Sequence, residues 1–107
     1  MKDPGNIAVI GVTGYAGFEL ARLLLRHPAI AKPTFYVRET NGAHCLSQLF
    51  PQLRHRGLAA LRQLSLEELT SSPAGTAFLA TPHEASAEYA PQLLDAGLRV
   101  IDLSAAF

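Results

Sequence analysis

At 107 residues, 49% of them hydrophobic, the chain has the length of one domain with a modest core, and is too short to hold a cofactor domain and a separate catalytic domain. Nine basic and nine acidic residues cancel, and no basic stripe interleaved with aromatics occurs, which argues against nucleic acid as a partner. A single cysteine, Cys45, allows neither an internal disulfide nor a cysteine metal cluster, and the four histidines lack zinc-ligand spacing, so no metal site is expected.

In chain order, the opening MKDPGN shows no apolar stretch behind a basic flank, and the longest apolar run falls far short of a membrane span. A cytoplasmic protein with no membrane partner is expected. Residues 6–26, NIAVIGVTGYAGFELARLLLR, then read as strand, phosphate loop and helix. Ile7, Val9 and Ile10 are β-branched and free of neighbouring charge, which suits a strand buried on both faces of a parallel sheet. Gly11 breaks that strand. Over 16–27, Leu20, Leu23 and Leu24 recur at helical spacing, with Glu19 placed in the first turn, Arg22, Arg26 and His27 late, and Pro28 as the stop.

Between strand and helix lie Gly11, Thr13, Gly14 and Gly17 in a G-x-T-G-x-x-G spacing. Gly11 permits a sharp turn off the strand, Gly14 lets backbone N–H groups approach a pyrophosphate, and Gly17 lets the helix pack close to the sheet. The helix N-terminus then faces the anion. With strand before and helix after, the spacing predicts a dinucleotide site.

Residues 33–37 read as a second strand, which completes β-α-β and places Arg38 and Glu39 where an adenosine ribose is expected. A carboxylate there hydrogen-bonds the free hydroxyls of NAD, whereas a guanidinium pairs with the 2′-phosphate of NADP. Arg38 tips the expectation to NADP. Turn chemistry at 40–42 leads to a short helix over 43–50, where Cys45 reads as a small apolar side chain rather than a nucleophile paired with His44. Arg54, His55 and Arg56 read as a solvated turn.

Residues 61–64 suit a short edge strand, and Ser65-Leu66-Glu67-Glu68 is a capping-box pattern starting a small helix through Leu69, with a loop over 71–75. Residues 76–80 form the next buried strand. Thr81 as cap, Pro82 at the first helical position and Glu84 three residues after the cap start a helix to Ala96, ended by Gly97. Thr81, Pro82 and His83 thus stand beyond a strand's carboxyl end, where ligands of open parallel sheets bind. Residues 98–103 form the last strand, with Asp102 near its tip. The expected fold class is α/β, a Rossmann-like open, mostly parallel sheet with helices on both faces. Its exposed edges would favour self-association into a homo-oligomer.

Three separated stretches, GVTGYAGFEL at 11–20, PHEAS at 82–86 and GLRVIDLSAAF at 97–107, together resemble the amino-terminal domain of the N-acetyl-gamma-glutamyl-phosphate reductase family, in the semialdehyde dehydrogenase superfamily. The resemblance implies NADPH-dependent reduction of an acyl phosphate to an aldehyde in arginine biosynthesis, through cysteine attack, loss of phosphate and hydride transfer. It further implies that Gly11, Thr13, Gly14, Tyr15, Ala16 and Gly17 hold the pyrophosphate, that Arg38 holds the 2′-phosphate, and that Pro82, His83 and Ser104 border the nicotinamide. Two departures are visible. Ala106 stands where the family carries an acidic residue, and the family's Pro-Gly-Cys segment in a later domain has no counterpart, Cys45 not matching it. Residues 1–107 are therefore expected to be an incomplete front portion of the cofactor domain with no catalytic residue of its own. The alternatives are the cofactor domain of a related lysine-pathway or aspartate-semialdehyde reductase, and a non-catalytic nucleotide-binding module. A dehydrogenase relying on Tyr-x-x-x-Lys is disfavoured, since Tyr15, Tyr36 and Tyr89 have no lysine four residues on.

Overall fold

The computed structural model describes residues 3–11, 15–26, 33–38, 42–43, 48, 60–81 and 83–103, with only the backbone described at 3–5, 15–18 and 83. Its elements are β1 (Asp3–Ile10), α1 (Tyr15–Arg26), β2 (Thr34–Val37), β3 (Leu61–Gln63), α2 (Leu66–Ser71), β4 (Ala74–Leu79), α3 (His83–Asp95) and β5 (Arg99–Asp102). The described strands form one sheet in the order β3-β2-β1-β4-β5, and every pairing is parallel. β1 is central, with Val9 opposite Phe35 on one side and Phe78 on the other.

Because side chains alternate along a strand, two adjoining residues of β1 serve two different cores. Ile7 and Val9 pack with Phe35, Val37 and Leu61 beneath Ala21 and Leu24 of α1. Ala8 and Ile10 pack on the opposite face with Tyr36, Ala77 and Leu79 beneath Leu69 of α2 and Tyr89, Ala90 and Leu93 of α3. This double burial is what the uninterrupted β-branched run at 7–10 predicts.

The helical periodicity places the α1 stripe slightly differently from the expectation. Leu20, Ala21, Leu24 and Leu25 face the sheet, while Leu23 is 57% exposed. At 100° per residue Leu23 falls well off the centre of that stripe, and the small Ala21 takes the innermost position. Since α1 starts at Tyr15, Glu19 lies beyond the first turn, where it pairs with Arg22 at 2.8 Å. The expected ends at His27 and Pro28, and the readings of 44–47 and 54–56, lie outside the described residues.

Ser65 caps α2 as anticipated, its hydroxyl accepting from the Glu68 N–H at 3.2 Å. The reciprocal half of the capping box is replaced, because the Glu68 carboxylate pairs with Arg62 Nε at 2.9 Å. α2 extends to Ser71, and β4 starts at Ala74, so the connection expected over 71–75 shrinks. Helix α3 buries Ser86, Tyr89, Ala90 and Leu93, the i, i+3, i+4, i+7 stripe of an amphipathic helix. Pro91 sits inside it, a position disfavoured by about 3 kcal/mol against alanine, and the burial of Ala90 and Leu93 on the sheet holds the helix together there.

Gly97 ends α3 at φ +93°, with its N–H donating to the Leu94 carbonyl at 3.0 Å and the Leu98 N–H donating to the Leu93 carbonyl at 3.1 Å. This is a Schellman motif closed by the apolar pair Leu93 and Leu98, both in the core. A Cβ at Gly97 would meet nothing within 4 Å, so only backbone conformation is at stake. Gly97→Ala is expected to lose about 1 kcal/mol of stability in urea titration, with an unchanged slope.

Candidate functional site

From β1 the chain moves to one side of the sheet for β2 and β3, then crosses back to build β4 and β5 on the other side. The connections leaving the carboxyl ends of β1 and β4 therefore diverge, and the crevice between them is the topological switch point of the sheet. Gly11 stands at its base. The Gly11 N–H donates to the Tyr36 carbonyl at 2.8 Å, and the Ala80 N–H donates to the Ile10 carbonyl at 2.9 Å. Gly11 has φ +82°, a left-handed conformation that disfavours every side chain.

Space imposes the same requirement independently. A Cβ at Gly11 would lie 2.6 Å from Thr81 Cγ2 and 2.9 Å from the Ala80 carbonyl oxygen. Thr81 is itself held, its hydroxyl sharing a hydrogen bond with the Ser86 hydroxyl at 2.5 Å, and Ser86 is fully buried under α3. The sequence points to Gly11 as a turn residue, but contact between this glycine and the Thr81 methyl depends on strand order and carries no local signal.

A cavity of about 630 Å³ opens from this crevice along the α3 face of the sheet. Ile10, Tyr36, Leu64, Ala85 and Tyr89 supply its apolar surface, and Arg38, Glu84 and Glu88 its charged groups. Arg38 follows β2 directly and is exposed at the strand tip. Leu64 is brought beside it because the Leu64 N–H donates to the Val37 carbonyl at 2.7 Å. Sequence alone does not mark Glu84, Glu88, Leu64 and Tyr89 as site residues, since three of them belong to an amphipathic helix whose facing neighbour periodicity does not specify.

Of the sequence-predicted site residues, Gly11 and Arg38 meet at this cavity. Tyr15, Ala16 and Gly17 form the first turn of α1, which begins four residues after Gly11, and His83 opens α3 two residues after Thr81. Thr13, Gly14, Pro82 and Ser104 lie outside the described residues, as do Glu39 and Cys45. Among the described residues no three His, Cys, Asp or Glu side chains are grouped to hold a metal ion, and no helix is long and apolar enough to cross a membrane.

Burial raises the pKa of the Tyr36 phenol above its ordinary 10.0, with the nearby Glu68 carboxylate adding to the rise and Arg62 opposing it. The phenol is therefore neutral and able to donate throughout the physiological range.

Residues 6–107 match the family described as semialdehyde dehydrogenase, NAD binding domain. N-acetyl-gamma-glutamyl-phosphate reductase of Idiomarina loihiensis is 45% identical over 106 residues, covering 95% of this chain and 31% of that protein. LysW-L-2-aminoadipate/LysW-L-glutamate phosphate reductase of Saccharolobus solfataricus is 44% identical over 109 residues, covering 100% of this chain and 30% of that protein. Among solved structures, that of a probable aspartate-semialdehyde dehydrogenase from Pseudomonas aeruginosa aligns with a TM-score of 0.71 at 26% identity, covering 98% of this chain and 29% of that one. The chain thus spans under a third of the length of these relatives.

Two substitutions probe the site's construction. Gly11→Ala is expected to lose about 3 kcal/mol in urea titration, from left-handed strain plus overpacking. Adding Thr81→Ser, which removes the opposing methyl, should recover less than half, because the Ala80 carbonyl oxygen remains in the way. For Tyr36 the sign follows from the raised pKa: the unfolded phenol releases its proton near 10.0 while the folded one retains it. Stability from this group is complete below that pH and falls as pH climbs above it, so urea midpoints compared at pH 8 and pH 10.5 should drop less in Tyr36→Phe than in the unsubstituted chain.

Proposed function

This chain belongs to the semialdehyde dehydrogenase NAD-binding-domain family, and we propose that its 107 residues are the NADP-binding front of an N-acetyl-gamma-glutamyl-phosphate reductase, whose catalytic domain lies outside them. The observation carrying this reading is the meeting of Gly11, Arg38 and Thr81 around one cavity at the switch point of a parallel sheet. The residues present fit a dinucleotide: at Gly11 the backbone approaches without a Cβ, an exposed guanidinium stands at the β2 tip, and apolar walls of suitable volume lie between them.

In this reading Gly11, Thr13, Gly14, Tyr15, Ala16 and Gly17 hold the pyrophosphate at the N-terminus of α1, where unpaired N–H groups and the helix dipole favour an anion. Arg38 grips the 2′-phosphate by charge-assisted hydrogen bonds, a fork that the 2′-hydroxyl of NAD does not reward. Pro82, His83 and Ser104 border the nicotinamide. The cofactor, when bound, supplies hydride for reduction of an acyl phosphate to an aldehyde. The chain's own residues bind and orient it, and the nucleophile belongs to the remainder of the enzyme.

The similarity to the Saccharolobus reductase, which extends over the whole of this chain, supports a second reading as the cofactor portion of a LysW-aminoadipate or LysW-glutamate phosphate reductase. The two differ in substrate and share every role assigned above. A cytoplasmic setting suits either, as both are biosynthetic reductases.

Calorimetric titration of the chain with NADP and with NAD tests the cofactor assignment. NADP is expected to bind at least about tenfold more tightly, and Arg38→Ala should erase that preference while leaving NAD affinity within about twofold. A folded sample that binds neither nucleotide would refute the proposal.

A further inference from the structure

The cavity contains more chemistry than phosphate recognition uses. Among the described residues its charged lining beyond Arg38 is Glu84 and Glu88, one helical turn apart on α3, beside the apolar Ala85 and Tyr89 of the same helix. Carboxylates repel a polyanionic ligand, so their presence calls for a hydrogen-bond donor on the part of the ligand that reaches them. An adenine ring answers that description. Its faces are apolar, matching Ile10, Leu64, Ala85 and Tyr89, and its 6-amino group carries two N–H donors at the edge away from the sugar.

The two carboxylates are not equivalent. Glu84 lies in the first turn of α3, three residues after Thr81, whose methyl faces Gly11, and so at the end of the cavity that the proposed reading gives to the phosphates. Glu88 stands roughly 6 Å further along the helix axis, on the side away from the phosphates. Among the described residues the Glu88 carboxylate makes no hydrogen bond or ion pair, and the Gln92 side chain that approaches this residue donates to its backbone carbonyl at 3.2 Å. Arg38 has donors only and cannot take an N–H.

We propose that Glu88 is a specificity-determining residue that reads the base of the bound nucleotide by accepting a hydrogen bond from the adenine 6-amino group. The inference rests on the dinucleotide reading given above and assigns the far end of the same cavity. It makes the cavity bipolar, with the 2′-phosphate drawn to Arg38 and the amino group to Glu88.

The ethenoadenine analogue of NADP, whose fused ring removes both N–H bonds of the 6-amino group, isolates this contact. In calorimetric titration of the chain, NADP is expected to bind about tenfold more tightly than the analogue. Glu88→Ala should narrow that ratio to about twofold, whereas Glu88→Gln, which keeps an accepting oxygen, should retain most of it. Glu88 is exposed, so these variants are expected to fold, and far-ultraviolet circular dichroism verifies it. A ratio that survives Glu88→Ala, or that Glu84→Ala erases instead, overturns the assignment to Glu88 while NADP binding itself still stands. Failure of the unsubstituted chain to bind NADP at all removes the cofactor reading and this inference with it.

Discussion

Three backbone segments converge on Gly11 and leave no room for a side chain there. Its N–H is engaged by β2, the carbonyl before it by the residue after β4, and the volume a side chain would occupy is filled by the Thr81 methyl and a backbone oxygen of Ala80. A flexible side chain in the way could rotate aside, but a strand carbonyl shifts only if the sheet shifts with it. The chain therefore leaves β1 from a point fixed by tertiary pairing. Thr81 extends this constraint into α3, since the buried Ser86 hydroxyl that holds it belongs to the stripe packing that helix on the sheet.

The charge arrangement shows why overall electroneutrality says little about ligand preference. The nine positive and nine negative side chains cancel globally, yet among the described residues the cavity gathers one guanidinium and two carboxylates around an apolar interior. A pocket of mixed sign discriminates by which end of a ligand meets which charge, whereas a uniformly basic pocket binds anions while discriminating less among them. Tyr36 fits the same design. Its body fills the core beneath the cavity, and burial keeps its hydroxyl a neutral phenol.

What could be read from the sequence was whatever is encoded over a few residues. The β-branched run through Ile10, the glycine after it, the Ser65 cap and the stop at Gly97 each follow from local sterics or hydrogen bonding, and each stands where expected. The errors lie where a local rule met a distant partner. Glu68 suited the reciprocal capping contact until β3 brought Arg62 within 2.9 Å. Leu23 had the right spacing for a core face, but the stripe centre was set by how closely Ala21 lets α1 approach the sheet. The site divides in the same way. Gly11 and Arg38 are legible because strand ends mark them, whereas Leu64, Glu84, Glu88 and Tyr89 become cavity walls only once β3 and α3 are placed around β1 and β2, which no single window of sequence contains.

The central place of β1 also dictates when the protein acquires its shape. One flank of β1 is satisfied by β2, close behind it in the chain, but Ile7 on the other flank pairs with Thr76, far downstream. During synthesis the first strand leaves the ribosome long before β4 exists, carrying Ile7, Val9 and Ile10 with one edge unpaired and one face lacking α3. Loop-closure entropy opposes that distant pairing, which makes it a late event. Until it happens the nascent chain presents a parallel-strand edge rich in β-branched residues, the kind of surface chaperones bind and aggregates recruit. The strand at the centre of the finished sheet is thus the segment most in need of shelter while the protein is being made.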